Sequence, residues 1–257
     1  MTRRTALLLP LLAAFANLAA ATLHGADTKC YELRTYTAAP GKLDFLLARF
    51  RDHTTALFAK HGMTNVGYWV PADNAERKLI YLLSFPDRAA RNASFKSFGA
   101  DPEWQTVAKA SETGGKLVDK LESRFLTATD FSKTDAGEGN NPNRIFEMRT
   151  YSCGPNQLPR LLSRFRDHTV DLFSKHGMKH FGYYTPAAGT PGAEDTLVYF
   201  LVHESQDAMA ASFAAFRSDP LWIAAKEASE KAGGGSLTMP DGVKSVPLIP
   251  TDFSPAK

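Results

Sequence analysis

The chain has 257 residues, 44% apolar and 22% charged, which is the composition of an ordinary globular protein with room for one or two domains. The formal charge is +3, with 30 Lys and Arg against 27 Asp and Glu. Basic residues are interspersed with acids and form no block or basic–aromatic strip, so nucleic-acid binding is not supported.

Arg3 and Arg4 precede an apolar run from Ala6 to Ala16, and no acid occurs before Asp27. Ala19-Ala20-Ala21 supplies a small-residue cleavage pattern. Residues 1–26 therefore read as a secretory signal peptide, cut between Ala21 and Ala26, that sends the chain to the periplasm or outside the cell. The apolar stretch to Leu23 is also just long enough to act as an uncleaved anchor. No later segment reads as a membrane span. The mature chain keeps Cys30 and Cys153, which permits one disulfide and equally two unpaired thiols.

After the leader, Tyr31–Thr37 alternates and is rich in Tyr and Thr, so it is expected to be a strand. Pro40-Gly41 then breaks the chain. Leu43, Leu46, Leu47, Phe50, Leu57 and Phe58 recur at three- and four-residue steps, which predicts a helix over Lys42–His61. Gly62 follows where a helix end favours a left-handed residue. Asn65–Val70 and Lys78–Phe85 are expected strands. A second helix runs from after Pro86-Asp87 to about Phe98, a short one starts at Asp101-Pro102, and Asp119–Thr127 is the last strand. Ser132–Asn143, rich in Gly, Asn and Asp, reads as a linker.

The same plan then repeats over Ile145–Ser152, Gln157–His176, His180–Thr185, Thr196–Val202, Gln206–Phe216, Leu221–Lys231 and Val243–Ile249. Residues 31–70 and 146–185 align without a gap, with 22 of 40 positions identical. Asp101-Pro102-Glu103-Trp104 returns as Asp219-Pro220-Leu221-Trp222, and Thr129-Asp130-Phe131-Ser132 as Thr251-Asp252-Phe253-Ser254. A long period present twice means two copies of one small domain, here 27–131 and 144–254, rather than a solenoid.

Each copy reads as β-α-β-β-α-β, a ferredoxin-like unit of α+β class. Its helices cover one face of an antiparallel sheet and leave the other bare. The duplication supplies a second sheet to bury it. The expected architecture is thus two sheets packed face to face, closing into a barrel with helices outside.

These motifs have a family resemblance. Tyr-Glu-Leu-Arg-Thr-Tyr, Pro-Gly-Lys, a helix ending Lys-His-Gly-Met, Gly-Tyr-Trp on the next strand and a later Asp-Pro-x-Trp resemble the NIPSNAP domain, in both copies. The resemblance implies the dimeric α+β barrel group, here formed within one chain. Relatives in that group include cofactor-free monooxygenases, lactone isomerases and haem-binding enzymes. NIPSNAP members have been linked to mitochondria and vesicle traffic, and the export signal sets this chain apart from those roles.

On the first strand Glu32, Arg34 and Tyr36 share one face, and Tyr31, Leu33 and Thr35 the other. The helices need an apolar platform, which Leu33 and its counterpart Met148 can offer. That assigns Glu32, Arg34, Tyr36, Glu147, Arg149 and Tyr151 to the space between the sheets, where charges must be paired or wet. They could grip a small polar or anionic molecule, or merely form a Glu–Arg pair that fixes register. No catalytic residue is identified. His53 and His168 are candidates for proton transfer or haem ligation, since their spacing from Phe50 and Phe165 sets them on or beside the buried stripe. No metal-ligand spacing and no cofactor motif occurs. Three readings follow: an exported small-molecule binder, a cofactor-independent monooxygenase or isomerase, and a structural module whose outer helices assemble homo-oligomers.

Overall fold

The computed structural model describes residues 29–135, 141 and 143–257. The expected signal peptide, the anchor alternative and half of the expected linker lie outside the described residues. Each repeat contributes four strands: β1 (Cys30–Ala38), β2 (Thr64–Pro71), β3 (Lys78–Phe85) and β4 (Val118–Ala128), then β5 (Ile145–Cys153), β6 (Lys179–Pro186), β7 (Thr196–His203) and β8 (Thr238–Pro250). They form one closed antiparallel barrel in the order β1-β3-β2-β8-β5-β7-β6-β4. The last strand of each repeat pairs with the second strand of the other. Val70 faces Ile249 at one seam, and Thr127 faces Thr185 at the other. Closure leaves no sheet edge running the length of the molecule.

Helices lie outside. In repeat 1 they are α1 (Leu43–Arg49), α2 (Thr55–Lys60), α3 (Arg88–Ala100) and α4 (Pro102–Ser111). In repeat 2 they are α5 (Leu158–Arg164), α6 (Val170–Lys175), α7 (Gln206–Ser218) and α8 (Pro220–Gly233). Asp101 and Asp219 cap α4 and α8 by accepting from the backbone N–H of Glu103 and Leu221, each at 2.9 Å. Gly62 has φ +76°, the left-handed value its place after α2 requires.

The long helix expected over Lys42–His61 is not uniform. Phe50–Thr54 between α1 and α2, and Phe165–Thr169 between α5 and α6, are π-helical. A π turn closes on the fifth residue instead of the fourth, and this rephases the buried stripe. Thr54 and Thr169 take the inward positions, each donating to the carbonyl five residues back, at Arg49 and Arg164, at 3.1 Å. His53 and His168 are exposed, contrary to the spacing-based expectation.

Three apolar clusters fill the molecule. Two lie between each repeat's helices and its own strands, around Phe50, Phe58 and Tyr81 in one and Phe165, Phe173 and Tyr199 in the other. The third draws on both repeats and fills the barrel, with Leu33, Trp69, Leu82, Phe146, Val198 and Phe200. Gly67 lets the barrel core close, because a Cβ there would sit 2.3 Å from the Trp69 ring.

The repeated Thr-Asp-Phe-Ser tails are clasps across the duplication. Ser254 accepts from the backbone N–H of Tyr68 at 2.9 Å and Phe253 stacks on Phe50, while Ser132 accepts from Tyr183 N–H at 2.9 Å. Arg51 makes a bidentate pair with Asp252, and Arg166 one with Asp130. Cys30 and Cys153 are both free thiols.

Candidate functional site

The six residues expected between the sheets face the other way. Leu33 and Met148 belong to the barrel-filling cluster, so the alternate positions Glu32, Arg34, Tyr36 and Glu147, Arg149, Tyr151 point under the helices. The helices do rest on an apolar platform, but it comes from β2, β3, β6 and β7 (Tyr68, Tyr81, Tyr183, Tyr199), which leaves the first strand free to carry charge. Between the sheets the middle is occupied by the apolar cluster shared by the two repeats. One end holds a cavity of about 690 Å³ lined by Leu33, Thr35, Glu122, Arg124, Met148 and Thr150, among others, and by none of the six.

In repeat 1 the cluster is closed on itself. Glu32 is fully buried and its Oε1 accepts from Arg34 Nη1 at 2.6 Å, Ser123 Oγ at 2.6 Å and Arg91 Nη2 at 2.7 Å. Its Oε2 accepts from Arg91 Nε at 2.7 Å. Arg34 donates through Nε to the Tyr81 hydroxyl at 2.8 Å and through Nη2 to Tyr36 at 3.0 Å. Burial pushes the Glu32 pKa up, but the Arg91 hydrogen bonds, the Arg34 charge and Ser123 outweigh it and hold the carboxyl below its usual value.

Repeat 2 keeps the motif and changes its surroundings. Met209 stands where repeat 1 has Arg91, and His203 where it has Phe85. Glu147 Oε1 accepts from Arg149 Nη1 at 2.6 Å and Ser245 at 2.5 Å, and Oε2 lies 3.3 Å from His203 Nε2. Burial raises the Glu147 pKa, and His203, Arg149 and Ser245 together bring it below the ordinary value. Arg149 Nη2 reaches the Tyr151 hydroxyl at 3.3 Å, and Tyr199 donates to Tyr151 at 3.2 Å. The Nε of Arg149, which in Arg34 is bonded to a tyrosine, is buried and has no partner among the described residues.

Beside Arg149 and Tyr151 opens a cleft of about 370 Å³ between β5, α7 and α8. Phe213, Phe216 and Trp222 give it an aromatic wall, and Arg217, Lys226 and Glu227 stand on its rim. Arg217 and Lys226 replace Gly99 and Ala108 of repeat 1. Arg217 has no ion-pair partner among the described residues, and Lys226 reaches Glu230 only at 4.0 Å. The cleft therefore offers two rim cations, a guanidinium at its floor and ring faces, the combination that suits a planar anion.

A model of the NIPSNAP family matches residues 31–133 and again 146–255. The chain belongs to the NIPSNAP family. A curated relative, described as a NipSnap homolog from Dictyostelium discoideum, is 27% identical over 145 residues, 55% of this chain and 57% of that protein. This NIPSNAP chain thus matches little more than half the length of that relative. Among solved structures, a candidate monooxygenase from Fusobacterium nucleatum is 11% identical with a TM-score of 0.59, over 90% of this chain and 98% of its own. An anthrone oxidase-like protein is 14% identical with a TM-score of 0.57, over 90% and 95%. At these identities the likeness is one of fold, the α+β barrel that the two repeats close here.

Sequence reasoning missed Arg91 and His203. Arg91 had a readable signal, because it precedes Phe95 by four and Phe98 by seven on a buried helix stripe, where a cation demands an acidic partner. His203 follows Tyr199 and Leu201 at two-residue steps and so shares their inward face. His180 was missed too. It is fully buried between Ser174 (2.8 Å) and Tyr183 (2.5 Å), and burial pulls its pKa down to about 4. Among the described residues, no group of three or more His, Cys, Asp or Glu side chains could hold a metal ion.

Proposed function

We propose that this NIPSNAP protein is an exported carrier of a small, planar anion, held in the cleft of the second repeat between β5, α7 and α8. The observation that carries the reading is Arg149. Each guanidinium nitrogen of its counterpart Arg34 donates to a protein partner, whereas Arg149 keeps an Nε with no partner among the described residues, beside an open cleft. The cationic rim, which repeat 1 lacks, and the aromatic wall, which both repeats keep, support the same ligand chemistry. The leader pattern of residues 1–26 supports export.

Anthraquinone-2-carboxylate is a suitable probe, followed by quenching of Trp222 fluorescence. Arg217→Ala, which touches none of the buried network, is expected to weaken binding about tenfold, as is Arg149→Lys, which keeps the charge and loses the fork. Arg34→Lys is expected to leave binding unchanged. Failure of the wild type to bind, or equal loss in Arg34→Lys, refutes the assignment. Native mass spectrometry of freshly purified protein would report a retained ligand and the subunit number together.

A second reading, a cofactor-independent oxygenase or isomerase, is favoured by the Tyr151 hydroxyl in the cleft, which Arg149 ties to Glu147 and thence to His203. The guanidinium can stabilise negative charge developing on the Tyr151 oxygen or on an enolate beside it, while Glu147 and His203 hold it in place. The fold neighbours named for monooxygenase and anthrone oxidase activity make anthrone the first substrate to try. Oxygen uptake with anthrone that disappears in Tyr151→Phe would support catalysis, and no uptake would leave the carrier.

A further inference from the structure

On the opposite side of α8 lies a different cleft of about 570 Å³, between α8 and the helical arm of α5, its π turn and α6. Arg164, the last residue of α5, forms its floor. It is 6% exposed, with Nη1 donating to Ser229 Oγ at 3.2 Å and Nε, like that of Arg49 in repeat 1, without a partner among the described residues. It packs over the Trp222 ring at 5.1 Å. No carboxylate lies within ion-pair distance of Arg164 among the described residues. A buried guanidinium without a counter-ion carries a desolvation cost that one hydroxyl and a ring face repay only in part.

Repeat 1 shows what such a guanidinium takes when the chain provides it. Arg49, the counterpart of Arg164, donates through Nη1 to Ser111 at 3.2 Å and to the Glu112 carboxylate at 3.3 Å. Ser111 and Glu112 correspond to Ser229 and Glu230. The helix length decides the difference. α4 stops at Ser111, so Glu112 stands at the helix end beside Arg49. α8 continues to Gly233 and ends on Gly234 at φ +75°, which keeps Glu230 on a helical turn, 4.0 Å from Lys226. The extra turn has withdrawn the internal carboxylate from Arg164.

We propose that this cleft is a second ligand site, whose occupant is a small monocarboxylate with its carboxylate on Arg164 where repeat 1 places Glu112. Ser163 and Ser229 provide further polar contacts, and the exposed Arg160 adds positive charge at the mouth. Pro159, Ala228 and Ala232 form an apolar wall suited to a short hydrocarbon body. Asp167 and His168 also line the cleft, and the Asp167 carboxylate opposes a second negative charge, which favours a monocarboxylate over a phosphate dianion. Thr169 fixes the arm by bonding the Arg164 carbonyl. Burial also lowers the Arg164 pKa, offset only in part by Tyr151 and Glu230.

The test is an NMR titration of the arginine Nε–H signals of ¹⁵N-labelled protein with butyrate, with butyramide and inorganic phosphate in parallel. Arg164→Lys identifies the Arg164 signal by its loss. The expected result is a saturable shift of that signal with butyrate alone. Ala228→Leu fills the cleft without touching the guanidinium and should weaken the response about tenfold. Arg217→Ala, directed at the other cleft, should leave it unchanged, so failure here is distinguishable from failure of the carrier reading. No saturable butyrate shift, an equal shift with butyramide, a response to phosphate in place of butyrate, or full binding in Ala228→Leu would each overturn the proposal.

Discussion

The two copies of the Glu-x-Arg-x-Tyr strand allow one substitution to be made twice in one molecule, with different expected costs. In Arg34→Met, Glu32 loses one hydrogen bond and keeps Ser123 and both bonds from Arg91, together with a full positive charge. In Arg149→Met, Glu147 keeps only Ser245 and the 3.3 Å contact with His203. Breaking a buried pair and stranding its partner costs about 3–5 kcal/mol. Loss of one bond to a charged group that stays compensated costs about 1.5–3 kcal/mol. Arg149→Met should therefore be the more destabilising by about 2 kcal/mol. Because the barrel closes across both repeats, urea unfolding followed by circular dichroism at neutral pH should give a single transition for each variant. The gap should narrow in acid, since a stranded Glu147 has a raised pKa and protonates earlier. An equal or larger cost for Arg34→Met would refute the claim that Arg91 compensates Glu32.

The buried His180 makes stability depend on pH. Its folded pKa, about 4, lies below the unfolded value, so the stabilisation is complete above about pH 6.5 and is lost as pH falls toward 4. At pH 5 the loss should be about 2 kcal/mol. Chemical denaturation of His180→Asn should show a flat response between pH 6.5 and 5, and an unchanged slope would exclude this histidine. Trp69→Ala empties the middle of the barrel and should cost about 3–5 kcal/mol by the same assay. A cost below about 1 kcal/mol would mean that the sheets do not depend on their shared core. The clasp pairs are half exposed, so Asp252→Asn and Asp130→Asn should each cost under about 1 kcal/mol, less still in high salt. A loss near 3 kcal/mol would show that the bidentate geometry counts for more than its exposure suggests.

Much of the fold was legible because it rests on local and repeated signals. Alternation, helical spacing, Asp-Pro starts and the internal duplication yield two βαββαβ units, and a sheet with one bare face requires a partner. The boundaries moved only modestly: β8 starts at Thr238 rather than Val243, and α3 runs on to Ala100. The candidate site was legible as a set of residues and misread in its orientation.

The sequence by itself determined which side chains travel together. A strand's period of two sorts Glu32, Arg34 and Tyr36 from Tyr31, Leu33 and Thr35, but it is symmetric between the two faces of a sheet. Only the tertiary structure decided which set lies under the helices, because that depends on what Arg91, Tyr81, Met209 and His203 bring to the same space from distant parts of the chain. Likewise, helical spacing named the arm but not its π turn, whose single extra residue carries His53 and His168 out to solvent. Near-identical strands in the two repeats thus end in unlike sites: one closed from within by Arg91, the other left open beside Arg149.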